Sequence, residues 1–215
     1  DYGLGTYAFT RDLQAWELAG SDVPLWSAFT GDYSGDQYGG LLAGSAAVYR
    51  YLSPAAHRPL LIVLLAGWAA GLGVAMLWAA ARRWFAGDVL ATRLIPAVSA
   101  WIMALYPEGV LLGASQMREP FAMAAIAVCF FGFVEVSGRG VKNRGVWAAL
   151  GAGLVTLFVL QPPVALASLF VLGGLWVVDA VSRRRLAWRT LLLLAGALIL
   201  ALALSTLLWS RLPGL

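Results

Sequence analysis

The chain has 215 residues, of which 61% are hydrophobic and 12% charged, and its formal net charge is +4. Soluble globular proteins contain roughly 45–50% apolar and 25% charged residues, so this composition excludes an ordinary soluble domain. The basic residues form no single patch, which argues against nucleic-acid binding. One cysteine, Cys129, and one histidine, His57, exclude a disulfide framework and a cluster of histidine metal ligands.

Residues 1–58 mix polar and apolar side chains and are predicted to form a loop region with two short helices. A helix over residues 10–19 begins with Thr10 as its N-cap. A glycine-rich acidic stretch follows at residues 31–40, Gly-Asp-Tyr-Ser-Gly-Asp-Gln-Tyr-Gly-Gly. The second helix covers residues 37–52 and is expected to lie in the plane of a membrane interface.

Six apolar segments between residue 59 and the end of the chain are predicted to cross a membrane as helices, since a bilayer core needs about 20 apolar residues. The predicted spans are residues 59–81, 90–106, 120–136, 146–160, 164–181 and 186–209. The fourth and fifth spans form one apolar run that is interrupted only by Gln161-Pro162-Pro163, and the two prolines favour a tight hairpin over one long helix. The predicted fold is therefore an all-α integral membrane protein: a loop domain, 1–58, and a helical bundle, 59–215.

The distribution of charge predicts the orientation of these spans. The loops after the first, third and fifth spans hold ten of the fifteen basic residues, whereas the opposite side holds eight of the eleven acidic residues. Basic loops face the cytoplasm, so residues 1–58 are predicted to be extracytoplasmic in a multi-pass protein of the inner (plasma) membrane.

Two polar stretches share the predicted outer side. One holds Asp32 and Asp36, and the other runs from Glu108 to Arg118 and Glu119. A carboxylate base near an arginine that binds an anion is one interpretation, because the planar guanidinium suits phosphate. The other interpretation makes the aspartates turn residues and the later pair interfacial anchors, and the residue pattern leaves both open.

The stretch Gly35-Asp36-Gln37-Tyr38-Gly39, together with Ala104-Leu105-Tyr106-Pro107 leading to Arg118-Glu119-Pro120, resembles integral-membrane glycosyltransferases of the GT-C fold. The likeness is to the bacterial branch of family 39, the protein O-mannosyltransferase and aminoarabinose transferase type. It implies a first extracytoplasmic loop with an essential acid, followed here by membrane helices two to seven of a larger enzyme whose first helix lies upstream. Family members often carry two adjacent acids in this loop, whereas here Gln37 follows Asp36.

The resemblance implies transfer of a sugar from a polyprenyl-phosphate donor to a hydroxyl of a protein, lipid or glycan acceptor, with inversion. Asp36 would be the general base and Arg118 would bind the donor phosphate, supported by Asp32, Glu119, Glu108, Gln37 and Tyr38. No cofactor or metal ligand set is indicated; a divalent metal is left open without support from the sequence.

Two other functions are compatible with a polytopic chain. A transporter or channel subunit would place charges or helix breaks near the midplane, and Pro96 and the Pro162-Pro163 pair fit that description. Here nearly all charges fall at predicted helix ends, with Arg93 and Glu135 slightly inside them. A non-catalytic membrane scaffold would need no acids clustered in one outer loop.

Overall fold

The computed structural model describes residues 4–30, 33, 36–86, 89–106, 110, 116–139 and 144–182. Within these ranges every regular element is helical, as the composition predicts. The α-helices with described bounds are α1 (Leu4–Gly20), α2 (Gly40–Leu52), α3 (Leu60–Trp84), α4 (Val89–Leu105), α5 (Glu119–Arg139), α6 (Arg144–Leu160) and α7 (Pro162–Ser182), and a short 3-10 helix covers Leu25–Phe29. The sixth predicted span, residues 186–209, lies outside the described residues.

Two helix starts differ from the predictions. The first helix begins at Leu4, six residues before the predicted start, so Thr10 lies inside α1 and is not its N-cap. The second begins at Gly40 and not at residue 37, because Gly39 adopts a left-handed conformation with φ of 72° that no helix contains. Local residue preferences therefore predicted the starts of these two helices only approximately, because the backbone geometry determines where each helix begins.

Two helices are long and apolar enough to cross a membrane by length and composition, namely α3 and the Glu119–Ser137 part of α5. The 25 residues of α3 extend about 38 Å at 1.5 Å per residue, more than a bilayer core of about 30 Å. Three further helices are apolar but shorter: Val89–Leu105, Arg144–Leu160 and Pro162–Val178.

The N-terminal region packs α1 against α2 around a small apolar core. Leu18 and Leu42 are fully buried, and Ile62 at the start of α3 joins them. Each such side chain contributes about 1.5–3 kcal/mol when it leaves water. Arg50 of α2 donates hydrogen bonds to the carbonyls of Leu18, Ala19, Ser21 and Val23, which satisfies carbonyl groups at the end of α1. Apolar burial and this arginine therefore fix the two helices together.

The apolar helices of the first unit pack as α4 on α3, α3 on α5 and α5 on α6. Arg83 of α3 forms an ion pair with Glu135 of α5, whose side chain is buried. Gly73 of α3 lies against α4 and α5, where an added Cβ would be 3.0 Å from Met103 Cε. Gly67 and Gly71 face open space and contribute no such contact.

The chain divides into two units, Asp1–Ala165 and Leu166–Leu215. The first contains α1 to α6 and every residue of the candidate site described below. The described part of the second is the remainder of α7. Helix α6 ends at Leu160 and α7 begins at Pro162, so the long apolar run is broken at Gln161, where the prolines predict a break.

Candidate active site

The start of α2 is built around the carboxylate of Asp36. Its Oδ2 accepts hydrogen bonds from the backbone N–H groups of Leu41 and Leu42, both at 3.0 Å. Its Oδ1 lies 3.4 Å from the backbone nitrogen of Tyr38. The first N–H groups of a helix have no partner within the helix, so a carboxylate here caps it and is stabilised by the helix dipole. Asp36 is buried and thus has a structural role, as the turn interpretation predicts.

The turn that carries Asp36 is held from two sides by close backbone contacts. At Gly39 an added Cβ would collide with the carbonyl of Ala28, and at Gly40 with the carbonyl of Val159 near the end of α6. Only glycine allows both approaches. The acidic loop is thereby fixed against the end of an apolar helix.

Arg11 of α1 contacts the stretch before α5 and was not among the predicted site residues. It is only 6% exposed, and its Nη2 lies 3.9 Å from the Met117 sulfur. Burial lowers the pKa of the Arg11 guanidinium, the charges of Asp36 and Glu119 oppose that shift, and the charge of Arg118 adds to it. One buried guanidinium therefore joins the acidic loop to the stretch before α5.

Arg118 and Glu119 lie at the start of α5. Arg118 places its guanidinium 5.1 Å from the centre of the Tyr38 ring, and its Nε is 3.8 Å from Glu119 Oε1. The other oxygen, Oε2, is buried and has no hydrogen-bond partner among the described residues. Tyr38 is two residues from Asp36, so the structure brings the two predicted polar stretches together.

Two of the remaining predicted site residues, Gln37 and Tyr38, lie in the described part of the acidic loop. Gln37 is exposed, and Tyr38 is half-buried under Arg118. Asp32 and Glu108 lie outside the described residues. Within those residues, no three side chains among His, Cys, Asp and Glu are grouped as a metal site would require.

A second polar cluster adjoins the first through Asp12, the neighbour of Arg11. Its carboxylate accepts a hydrogen bond from the Tyr49 hydroxyl on one oxygen and lies 2.8 Å from His57 Nε2 on the other. Trp16 stacks on the His57 ring at 5.2 Å, and Tyr49 meets that ring edge-on at 5.1 Å. None of these four residues was among the predicted site residues.

Burial and the Asp12 carboxylate raise the pKa of Tyr49, and a hydrogen bond with Gln116 acts in the opposite direction. Gln116 also donates to the Pro59 carbonyl at 3.1 Å. The segment before α5 therefore contacts both clusters.

Periodicity could have found the missed arginine. Arg11 is four residues before Ala15 and seven before Leu18, and both of those side chains are fully buried. That spacing places Arg11 on the inward face of α1. A charged residue on a buried helix face needs compensating partners, which is the signal that composition alone does not give.

Comparison with protein-family models, curated proteins and solved structures gave no match to this chain.

Proposed function

We propose that this chain is a membrane-embedded glycosyltransferase of the GT-C type, which transfers a sugar from a polyprenyl-phosphate donor to an acceptor hydroxyl at the outer face of the plasma membrane. In this proposal residues 1–58 are extracytoplasmic and six helices, including residues 186–209, cross the bilayer. The charge asymmetry of the loops and the two candidate spans support this placement.

The observation that carries the proposal is the junction of the two polar stretches. Arg118 lies over the Tyr38 ring, two residues from Asp36, and beside Glu119, while the buried Arg11 contacts Met117 just before this pair. Two guanidinium groups suit the phosphate of a lipid-linked sugar, and buried charges in one place at a helix end are typical of functional sites. The Oε2 of Glu119, which has no hydrogen-bond partner in the part of the chain that the structure describes, adds an acceptor that a bound hydroxyl could satisfy.

Asp36 is the proposed general base. Two backbone N–H groups occupy its Oδ2, whereas Oδ1 has only the longer contact to the Tyr38 nitrogen, so Oδ1 is the oxygen that would receive a proton. In the reaction the acceptor oxygen forms a bond to the anomeric carbon as the bond from that carbon to the phosphate oxygen breaks. The electron pair leaves with the phosphate, the hydroxyl proton passes to Asp36, and the configuration inverts.

The arginines are assigned to the leaving group. A phosphate needs little acid assistance but does need stabilisation of its growing charge, which fixed guanidinium donors provide. Arg118 is held over Tyr38 and is only partly buried, so it can reach a donor from outside the protein. Arg11 is more deeply buried, and the charges of Asp36 and Glu119 oppose the lowering of its pKa by burial.

The test is turnover of radiolabelled polyprenyl-phosphate sugars by the purified full-length protein. Asp36→Asn should lower kcat by about a hundredfold or more, which is the usual contribution of a general base. Arg118→Ala should raise KM for the donor. Asp22→Asn, which removes a charge from an exposed position in the same region, is the matched control and should leave turnover unchanged.

Full activity of Asp36→Asn would show that this carboxylate is not the base. Unchanged donor affinity in Arg118→Ala would remove that arginine from the site. If the wild-type protein turned over no polyprenyl-phosphate sugar, the transferase proposal itself would fail.

A transporter is the second candidate, and one observation favours it. Glu135 is buried within α5, one of the two candidate spans, where it is paired with Arg83. Charged pairs inside membrane helices often mark solute pathways. Flux of ions or solutes into liposomes that contain the purified protein, abolished by Glu135→Gln, would favour transport over transfer.

A further inference from the structure

A cavity of about 510 Å³ lies at the junction of α3 and α4, and none of its residues belongs to the proposed active site. It is lined by Trp78, Arg82 and Ala86 on one side and by Val89, Thr92 and Arg93 on the other. Residues 78 and 82 are four apart in α3, Ala86 follows the end of that helix, and residues 89, 92 and 93 lie within the first turns of α4. Each helix therefore presents one face to the cavity.

The cavity is cationic. Arg83, the neighbour of Arg82 in the chain, is neutralised by Glu135. Neither Arg82 nor Arg93 has a carboxylate partner among the described residues, and Asp88, the acid between the two helices, lies outside them. Arg82 is held in place by the Trp78 ring, with its guanidinium carbon 4.8 Å from the ring centre.

The rim of the cavity is apolar. Val89, which lines the cavity, and its neighbour Leu90 are 78% and 73% exposed, and Trp78 on the other side is 41% exposed. Trp78 belongs to α3, which is long and apolar enough to cross a membrane. Tryptophan is typical of the level where a membrane meets water, because its ring is apolar and its N–H is polar. An occupant of this cavity would therefore combine an anionic group with hydrocarbon.

We propose that this cavity binds the phosphate of an anionic phospholipid, with the acyl chains along Val89 and Leu90. The proposal depends on the membrane placement given above but not on the transferase reaction. In the predicted orientation the cavity faces the cytoplasmic leaflet, whose anionic lipids are attracted by arginines near the surface. Arg82 and Arg93 bind the phosphate oxygens from opposite sides, as two guanidinium groups can.

The test is native mass spectrometry of the full-length protein, purified from nanodiscs that contain phosphatidylcholine with or without phosphatidylglycerol. The wild-type protein should retain phosphatidylglycerol and not phosphatidylcholine. In Arg82→Gln/Arg93→Gln, retention should fall about thirtyfold, since each cation near a membrane surface strengthens binding of anionic lipid about fivefold. Arg144→Gln, an exposed charge at the start of α6, is the matched control and should retain the lipid.

The variant Arg82→Lys/Arg93→Lys keeps both charges and should retain most of the lipid, which separates charge from misfolding. Equal loss in the lysine and glutamine variants, or in Arg144→Gln, would overturn the assignment of the lipid to this cavity. Unchanged retention in the double glutamine variant would overturn it as well. A competition arm with inorganic phosphate should displace no lipid; displacement at low phosphate concentration would identify a site for free phosphate instead.

Discussion

Asp36 has a structural role and a proposed chemical role, and two substitutions separate them. Asp36→Ala removes every acceptor from the start of α2. Asp36→Asn keeps one carbonyl oxygen, which can still accept the N–H groups of Leu41 and Leu42, but removes the charge and the proton-accepting oxygen. We expect both variants to lose transfer activity and only the alanine variant to lose much stability.

The magnitude follows from the contacts. Loss of a helix cap costs about 1–2 kcal/mol. Asp36 also opposes the charge of the buried Arg11, so the alanine variant leaves that guanidinium with less compensation. Together these effects are expected to lower the free energy of unfolding by about 2–4 kcal/mol. The asparagine variant keeps the cap and should lose about 1 kcal/mol through the helix dipole and Arg11.

The assay is thermal unfolding of the detergent-solubilised protein, measured with the activity of the same samples. Asp22→Asn controls for removal of a negative charge and should match the wild type in both measurements. If Asp36→Ala unfolded at the wild-type temperature, the capping role deduced from the hydrogen bonds would be refuted. If Asp36→Asn were as unstable as the alanine variant, loss of activity in either would say nothing about a base.

Three further predictions concern stability. The neutral Tyr49 phenol is favoured in the folded state, because burial and a neighbouring carboxylate raise its pKa above the ordinary 10.0. Its contribution to the free energy of unfolding should be fully present below pH 10 and decrease as the pH rises towards the folded-state pKa. Tyr49→Phe should reduce this decrease when thermal unfolding is measured as a function of pH. Gly40→Ala should destabilise the protein by about 1–3 kcal/mol through collision with a backbone carbonyl. Gly44→Ala, one turn later and facing open space, should be neutral or stabilising, and equal effects of the two substitutions would contradict the packing of α2 on α6. Arg83→Met should cost about 3–5 kcal/mol because it removes the cation that is paired with the buried Glu135 carboxylate, and Glu135→Gln in the same protein should restore most of that loss. Additive losses in the double variant would show that the two residues are not coupled.

The helical segments were predictable because they depend on local properties. Long apolar runs indicated five of the described helices, and the Gln161-Pro162-Pro163 sequence indicated the break between α6 and α7. Their ends were less predictable. The first span was predicted to end at residue 81, yet α3 continues to Trp84, because a helix ends where its hydrogen bonds end and not where its side chains become charged.

The candidate site was predictable only in part. The sequence indicated that the loop of Asp36 and the stretch of Arg118 and Glu119 share a side of a membrane. It gave no indication that Arg11 contacts Met117, just before this pair, because that contact joins residues more than 100 positions apart along the chain. It also gave no indication that His57 lies beside the carboxylate of Asp12.

The sequence by itself determined an apolar, helical chain with acids on one predicted side and basic loops on the other. Those properties follow from composition and from the order of residues, and they need no knowledge of which helices touch. The tertiary structure alone decided the partners of each charge. Asp36 caps α2, and its charge acts on the buried Arg11. Arg83 forms an ion pair with Glu135, whereas Arg82 lines a cavity. Burial makes an unpaired charge costly, so only the packing of helices distant in sequence selects which charges are paired.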